Sequence, residues 1–298
     1  MNLLNKLIVT TLPAVPKPIV RKFANRYIAG EKLSDAVRTV KELNSRGIMA
    51  TLDVLGEAIS TKEEAAASRD EILGLFPEIQ KERLDSNVSI KLTQLGLNID
   101  KNFCLENVRA ILTKARETGN FVRIDMEDSA TTDNTIWVYT EIRKQFGNAG
   151  IALQAYLHRT ERDAGELISQ GLGHFRLCKG IYIEPAEIAF KGHDEVNQNF
   201  VQVMRTMLEK KAYVGIATHD DYLVDSAYGI IRSMNLKKTD YEFQMLLGVK
   251  EDLCAKIIRD GHRLRVYVPF GEHWYKYSIR RFKENPKIAG YVLKALFN

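Results

Sequence analysis

The chain reads as an α/β protein closed into a (βα)8 TIM barrel, and three observations carry that expectation. Eight short runs rich in β-branched and aromatic residues recur along it. Segments with apolar residues at helical spacing separate them. Together the units span about 250 residues, the size of such a barrel.

The strand runs are 47–57 (GIMATLDVLGE), 87–96 (NVSIKLTQLG), 121–129 (FVRIDMEDS), 151–157 (IALQAYL), 174–182 (HFRLCKGIY), 213–220 (YVGIATHD), 241–248 (YEFQMLLG) and 263–271 (RLRVYVPFG). Between them, 61–76, 106–118, 135–146, 160–170, 195–210, 222–234 and 251–260 are rich in good helix formers. Alternating strand and helix implies parallel strands joined by crossovers. Residues 1–46 are expected to form a helical N-terminal lead-in and 47–298 the barrel. An open doubly wound sheet is the competing architecture. Against it, no strand runs into a G-x-G-x-x-G or Walker loop, and Gly171-Leu172-Gly173 precedes a strand instead of following one.

Composition narrows the class. With 298 residues, 45% hydrophobic and 27% charged, the chain can bury a large core, and no apolar run approaches the roughly 18 residues of a membrane span. Cys104, Cys178 and Cys254 are odd in number and lack CxxC spacing, which fits a reducing compartment. A net charge of +5 is too modest to argue for nucleic acid. Lys6, Lys17, Arg21, Lys22 and Arg26 all precede the first acid, Glu31, while Pro13, Pro16 and Pro18 break a long amphipathic helix. The expectation is a cytoplasmic protein whose structured lead-in can touch the anionic inner face of a membrane.

Near the end of the chain, Arg265 to Gly271 reads as a strand running into a turn, followed by a helical segment that carries Arg280 and Arg281. Adjacent guanidinium groups point about 100° apart on a helix and can grip a small carboxylate from two sides. A solvated helix face is the bland alternative. Arg280 lies seven residues past His273, roughly 10 Å along the axis, so the last helix must lean over the barrel mouth if the pair binds substrate.

Barrel enzymes keep their chemistry at strand C-terminal ends. The polar residues there are Lys91, Asp125, Glu127, Gln154, Arg176, Lys179, Tyr182, Thr218, His219, Glu242, Gln244 and Tyr267. Lys91 with Asp125 or Glu127 could be an internal ion pair. As a set, Lys91, Arg176, Lys179, Arg280 and Arg281 on one rim should repel one another until an outside anion arrives. A phosphate-bearing cofactor and a carboxylate substrate would supply it. No metal is expected: after the first strand Leu52-Asp53-Val54-Leu55 replaces H-x-H, and the six histidines show no ligand spacing.

Five motifs in order carry a resemblance: RLCKGIY (176–182), QAYL (154–157), ATHD (217–220), EFQMLLG (242–248) and VYVPFGEHWYKYSIRRF (266–282). From the first strand to the end, the chain resembles the flavin-dependent proline dehydrogenases, in particular the small monofunctional bacterial type. That resemblance implies a distorted (βα)8 barrel holding FAD. Its reaction would be oxidation of L-proline to Δ1-pyrroline-5-carboxylate by hydride transfer to flavin N5, with electrons passed to a membrane quinone.

The resemblance also implies roles. Arg280 and Arg281 would clamp the proline carboxylate, Lys91 would add a third positive contact, and Tyr267 would lie against the substrate ring. Tyr182 and Leu246 would close the pocket, while Asp125 would orient polar partners. For FAD, the implied contacts are Arg176 near N5, Gln154 and Lys179 with Gly180 and Tyr182 along the ring and chain, and Thr218, His219 and Glu242 on the remainder. Hydroxyproline oxidation is the nearest competing activity. Two other classes compete more distantly: a metal-dependent barrel hydrolase lacks its ligand spacing here, and a non-catalytic binding barrel does not account for the cationic rim.

Overall fold

A computed structural model describes residues 20–21, 24–56, 59–275 and 277–279. Eight parallel strands close in sequence order: β1 Met49–Val54, β2 Ser86–Ile90, β3 Val122–Ile124, β4 Ala149–Gln154, β5 His174–Cys178, β6 Tyr213–Ala217, β7 Tyr241–Leu246 and β8 Leu264–Phe270. Closure is by β1 on β8, with Met49 opposite Arg265 and Val54 opposite Phe270. The barrel expectation holds, and the open sheet does not.

Strand residues alternate between two sides, and here the two sides differ in chemistry. Ala50, Leu52 and Val54 of β1, Val88 and Ile90 of β2, and Val266 and Val268 of β8 join one core between strands and helices. Burying each of the larger ones is worth about 1.5–3 kcal/mol. The alternate set faces the barrel axis and is polar: Thr51 donates to Asn87 at 2.5 Å, and Asp53 accepts from Lys91 at 2.7 Å. Most barrels of this type fill that space with branched apolar residues.

The helices follow the expected segments with shifted starts. Lys101–Glu117 begins five residues before the expected 106, and Ser129–Arg143 six before 135, because Asp100 and Asp128 cap them through their side chains. The expected 61–76 splits at Gly74 into Lys62–Leu73 and Leu75–Lys81. Strand runs were expected to extend further at their C-terminal ends. Those surplus residues, among them Lys91, Glu127, Lys179 and Thr218, instead form the loops at the mouth.

Part of the lead-in docks on the exit of β8. Ala29 donates its N–H to Pro269, and Gly271 to Gly30. Arg26 Nε reaches the Gly248 carbonyl at 2.9 Å, and a Cβ on Gly248, whose φ is +71°, would stand 2.0 Å from the Arg26 carbonyl oxygen. Val20, Ala24, Tyr27, Ile28, Leu55, Trp274, Tyr277 and Ile279 make a second apolar cluster. That cluster seats the start of the last helix beside the mouth. No described helix is long and apolar enough to cross a membrane.

Candidate active site

At the C-terminal mouth lies a cavity of about 600 Å³. The residues expected there from sequence line it together: Lys91, Asp125, Gln154, Arg176, Lys179, Gly180, Tyr182, Thr218, His219, Leu246 and Tyr267. Arg280 and Arg281 lie outside the described residues. Tyr277, which sequence reasoning did not single out, also lines the cavity, so the described start of the last helix reaches the mouth.

The floor is an ionic chain built from alternate strand positions. Lys91 Nζ stands 2.7 Å from Asp53, 3.3 Å from Asp125 and 3.2 Å from the Tyr267 hydroxyl. Tyr267 donates to Asp125 at 2.7 Å, and Arg176 Nη1 meets the other Asp125 oxygen at 2.5 Å. Ser89 donates to that same oxygen at 2.7 Å. Tyr267 is thereby fixed at its hydroxyl, and its ring centroid sits 5.1 Å from the Arg176 guanidinium.

These neighbours set the charges. Burial works to lower Lys91, but Asp53, Tyr267 and Asp125 together hold it well above the usual lysine range. Burial works to raise Asp125, yet Lys91 and Arg176 keep it below the ordinary carboxylate range. Asp53 goes the other way: burial raises it and Lys91 does not outweigh that, and among the described residues its Oδ2 has no hydrogen-bond partner. Burial first, then Asp125, pushes Tyr267 far up, so it remains a neutral donor.

A second cluster forms at the exits of β5 and β6. Lys179 Nζ meets Asp220 at 2.6 Å, and Asn197 donates to the same oxygen at 3.2 Å. Asp220 also caps the helix Asp221–Ser233 through the Tyr222 N–H. Gly180 has φ +106°, and a Cβ there would lie 2.1 Å from the Tyr156 ring. Only glycine lets the chain turn so close to that ring. His219 Nε2 accepts the Leu246 N–H at 2.9 Å, which places the proton of a neutral ring on Nδ1.

Two expectations need correction. The described rim cations do not await an outside anion, because Lys91 faces Asp53 and Asp125, Arg176 faces Asp125, and Lys179 faces Asp220. Nor does the fold bring Glu242 to the mouth. It sits low in β7, paired with Arg265 at 2.6 Å and bonded by Gln244 at 2.7 Å, and it does not line this cavity. Its motif EFQMLLG points two ways along a strand, and Glu242 is two residues, about 7 Å, below Gln244. Glu127 is likewise turned aside, taking the Thr93 N–H and hydroxyl at 3.0 and 2.5 Å.

Asp53 and Asp220 were not expected as site residues. The signal for Asp53 was a lone acid inside an apolar strand run; for Asp220 it was the acid closing ATHD.

A family model described as Proline dehydrogenase matches residues 36–293. Proline dehydrogenase 2 of Bacillus subtilis is 35% identical over 277 residues, which cover 93% of this chain and 91% of that protein. The proline dehydrogenase of Deinococcus radiodurans is 34% identical over 278 residues, 92% of this chain and 89% of its own. Among solved structures, proline utilization A from Bdellovibrio bacteriovorus, inactivated by N-propargylglycine, matches with a TM-score of 0.84 at 27% identity. The match covers 89% of this chain and 33% of that longer one.

The Lys179–Asp220 pair yields a pH prediction. Burial opposes ionisation of Asp220, but Lys179 and Asn197 outweigh it and hold the carboxyl at about 2, below the ordinary 3.8. A depressed folded value means the stabilisation is complete above 3.8 and is lost as pH falls toward about 2. Asp220→Asn, which keeps a capping acceptor, is expected to be less stable than wild type at neutral pH. Denaturant titrations should show the gap closing through that acid window; a gap that stays constant would remove the pair from the acid response.

Proposed function

Because the chain belongs to the proline dehydrogenase family and is an enzyme of the first step of proline catabolism, we propose that it oxidises L-proline to Δ1-pyrroline-5-carboxylate with FAD held in the C-terminal cavity. Members of this family are flavin-dependent in general. The observation that carries the reading is the shape and lining of that cavity. Its volume of about 600 Å³ lies in the range of cofactor sites. Ala152 of β4 lies opposite Arg176 and Ala217 of β6 opposite Cys178, so two small side chains leave room in the cavity wall, and the Gly180 turn packs on the Tyr156 ring just beside it. A flat ring system needs such walls together with donors at its edges, and Arg176, Gln154, Lys179 and Thr218 supply them.

FAD, when bound, would supply the hydride-accepting chemistry for the proline ring carbon beside nitrogen. The chain's own residues bind and orient. Arg176 is fixed by Asp125 at 2.5 Å and by Gln244 at 2.7 Å, so its guanidinium can hold the ring edge without reorganising. Lys179 with Thr218 and His219 would take the chain of the cofactor. Tyr267, clamped by Asp125 and Lys91, presents a rigid ring against which proline would lie, with Tyr182 and Leu246 excluding water. Since the mouth cations Lys91, Arg176 and Lys179 are matched by Asp53, Asp125 and Asp220, the proline carboxylate is assigned to Arg280 and Arg281, with Lys91 as a lesser contact. A membrane quinone would be the electron acceptor, and the basic lead-in favours a cytoplasmic protein that touches the inner face of the membrane.

Two experiments test this. The visible spectrum of the purified protein, recorded before and after anaerobic L-proline, should show a flavin that bleaches; D-proline and trans-4-hydroxy-L-proline serve as controls. A protein that carries no flavin and binds no added FAD would sink the proposal. Arg281→Ala should raise KM for proline by roughly ten- to a hundredfold while flavin content holds, the value of one charge-assisted contact of about 1.5–3 kcal/mol. Unchanged proline kinetics would refute the carboxylate assignment.

A further inference from the structure

The barrel has a second opening. At the N-terminal ends of the strands lies a cavity of about 290 Å³, bounded by Arg123, Arg263, Arg265, Glu242 and the rings of His174 and Tyr213. His174 and Tyr213 are the first residues of β5 and β6, so this mouth is opposite the flavin-sized one. The two linings share no residue.

Charge does not balance there. Glu242 is taken by Arg265 at 2.6 and 3.2 Å, and Arg263 stands 3.7 Å from it. Asp85, exposed at the rim, is the other acid. Three guanidinium groups therefore face two carboxylates. Arg123 is the one left over: only 1% exposed, it meets neutral acceptors alone among the described residues. Its Nη1 donates to the carbonyls of His174 at 2.8 Å and Ile151 at 3.2 Å, its Nη2 contacts His174 Nδ1 at 3.0 Å, and its Nε has no partner.

Among the described residues the lining offers no other charge relief. Burial and Arg123 push His174 down to about 2, so its imidazole stays neutral. Its ring is held between Phe121 at 4.4 Å and Tyr213 at 4.3 Å. Burial, then the Arg176 charge, pushes Arg123 itself down to about 9. Arg123 Nε is itself closed off from solvent, so what an anion in the cavity would supply is the missing negative charge, which a water molecule cannot.

We propose that the N-terminal mouth binds a small oxyanion of the phosphate or carboxylate type, between Arg123 and the Arg263–Arg265 pair. The occupant would steady the lower end of the hydrogen-bonded chain that runs from Arg265 through Glu242 and Gln244 to Arg176.

The test uses the full, flavin-loaded enzyme. Thermal unfolding is followed while sodium phosphate, and separately sodium acetate, replaces sodium chloride at constant ionic strength. The expected result is a saturable rise in Tm with at least one of them. Arg263→Ala should weaken its midpoint at least about tenfold, the loss of one charge-assisted contact, and Arg123→Met should abolish the rise. Arg263 is partly exposed, so its variant decides the matter even where Arg123→Met fails to fold. No rise with either salt, or an equal rise in wild type and Arg263→Ala, which is an adventitious ion only, overturns the proposal.

Discussion

Charge buried inside a β-barrel is costly unless it is paired, and this barrel pairs Asp53, Asp125 and Glu242 with Lys91, Arg176 and Arg265. Breaking one such pair leaves an uncompensated charge at a cost of about 3–5 kcal/mol, whereas an apolar filling would be as stable or more so. A barrel interior of this kind is therefore retained for what it holds in place. The chain of contacts runs from Asp53 and Lys91 at the C-terminal mouth, through Asp125, Arg176 and Gln244, to Glu242 and Arg265 below. Each member fixes the next.

That constraint decides how the mouth can work. The Tyr267 hydroxyl is held by two partners, so its ring is a wall and not a swinging gate. Arg176 keeps its position because Asp125 and Gln244 hold it from two sides, which is what the role proposed for it would require. The same pairing consumes positive charge. With three acids against three cations at the mouth, a substrate carboxylate gains little from the described residues, which is why the proposed reading turns to Arg280 and Arg281, just past the described start of the last helix. The apolar seat made by Trp274 and Tyr277 with Tyr27 and Leu55 then matters for function, because it positions the start of that helix.

Much of the fold was legible because strand and helix leave different periodicities, and the eight runs and the seven segments between them correspond to observed elements. Boundaries were less legible. Residues such as Lys91 and Lys179 extend a strand-like run in sequence but belong to loops, since pairing with neighbouring strands ends before them. Most of the expected mouth residues do meet, while Glu242 does not, because position along a strand, not motif membership, decides which mouth a side chain approaches. Asp53 and Asp220 were not assigned to the site for a related reason. Their importance lies in the cation each faces from another element, 38 residues away for Asp53 and 41 for Asp220, and spacing of that length leaves no local pattern.

The most direct measurement is a double-mutant cycle on Asp53 and Lys91, using Asp53→Asn, Lys91→Met and the pair, with unfolding free energy read by denaturant titration. The account predicts that each single change costs about 3–5 kcal/mol and that the double variant falls short of their sum by about 1–3 kcal/mol. Costs that add to within about 0.5 kcal/mol would mean the two residues act independently. The ionic chain would then not be what holds the candidate site together.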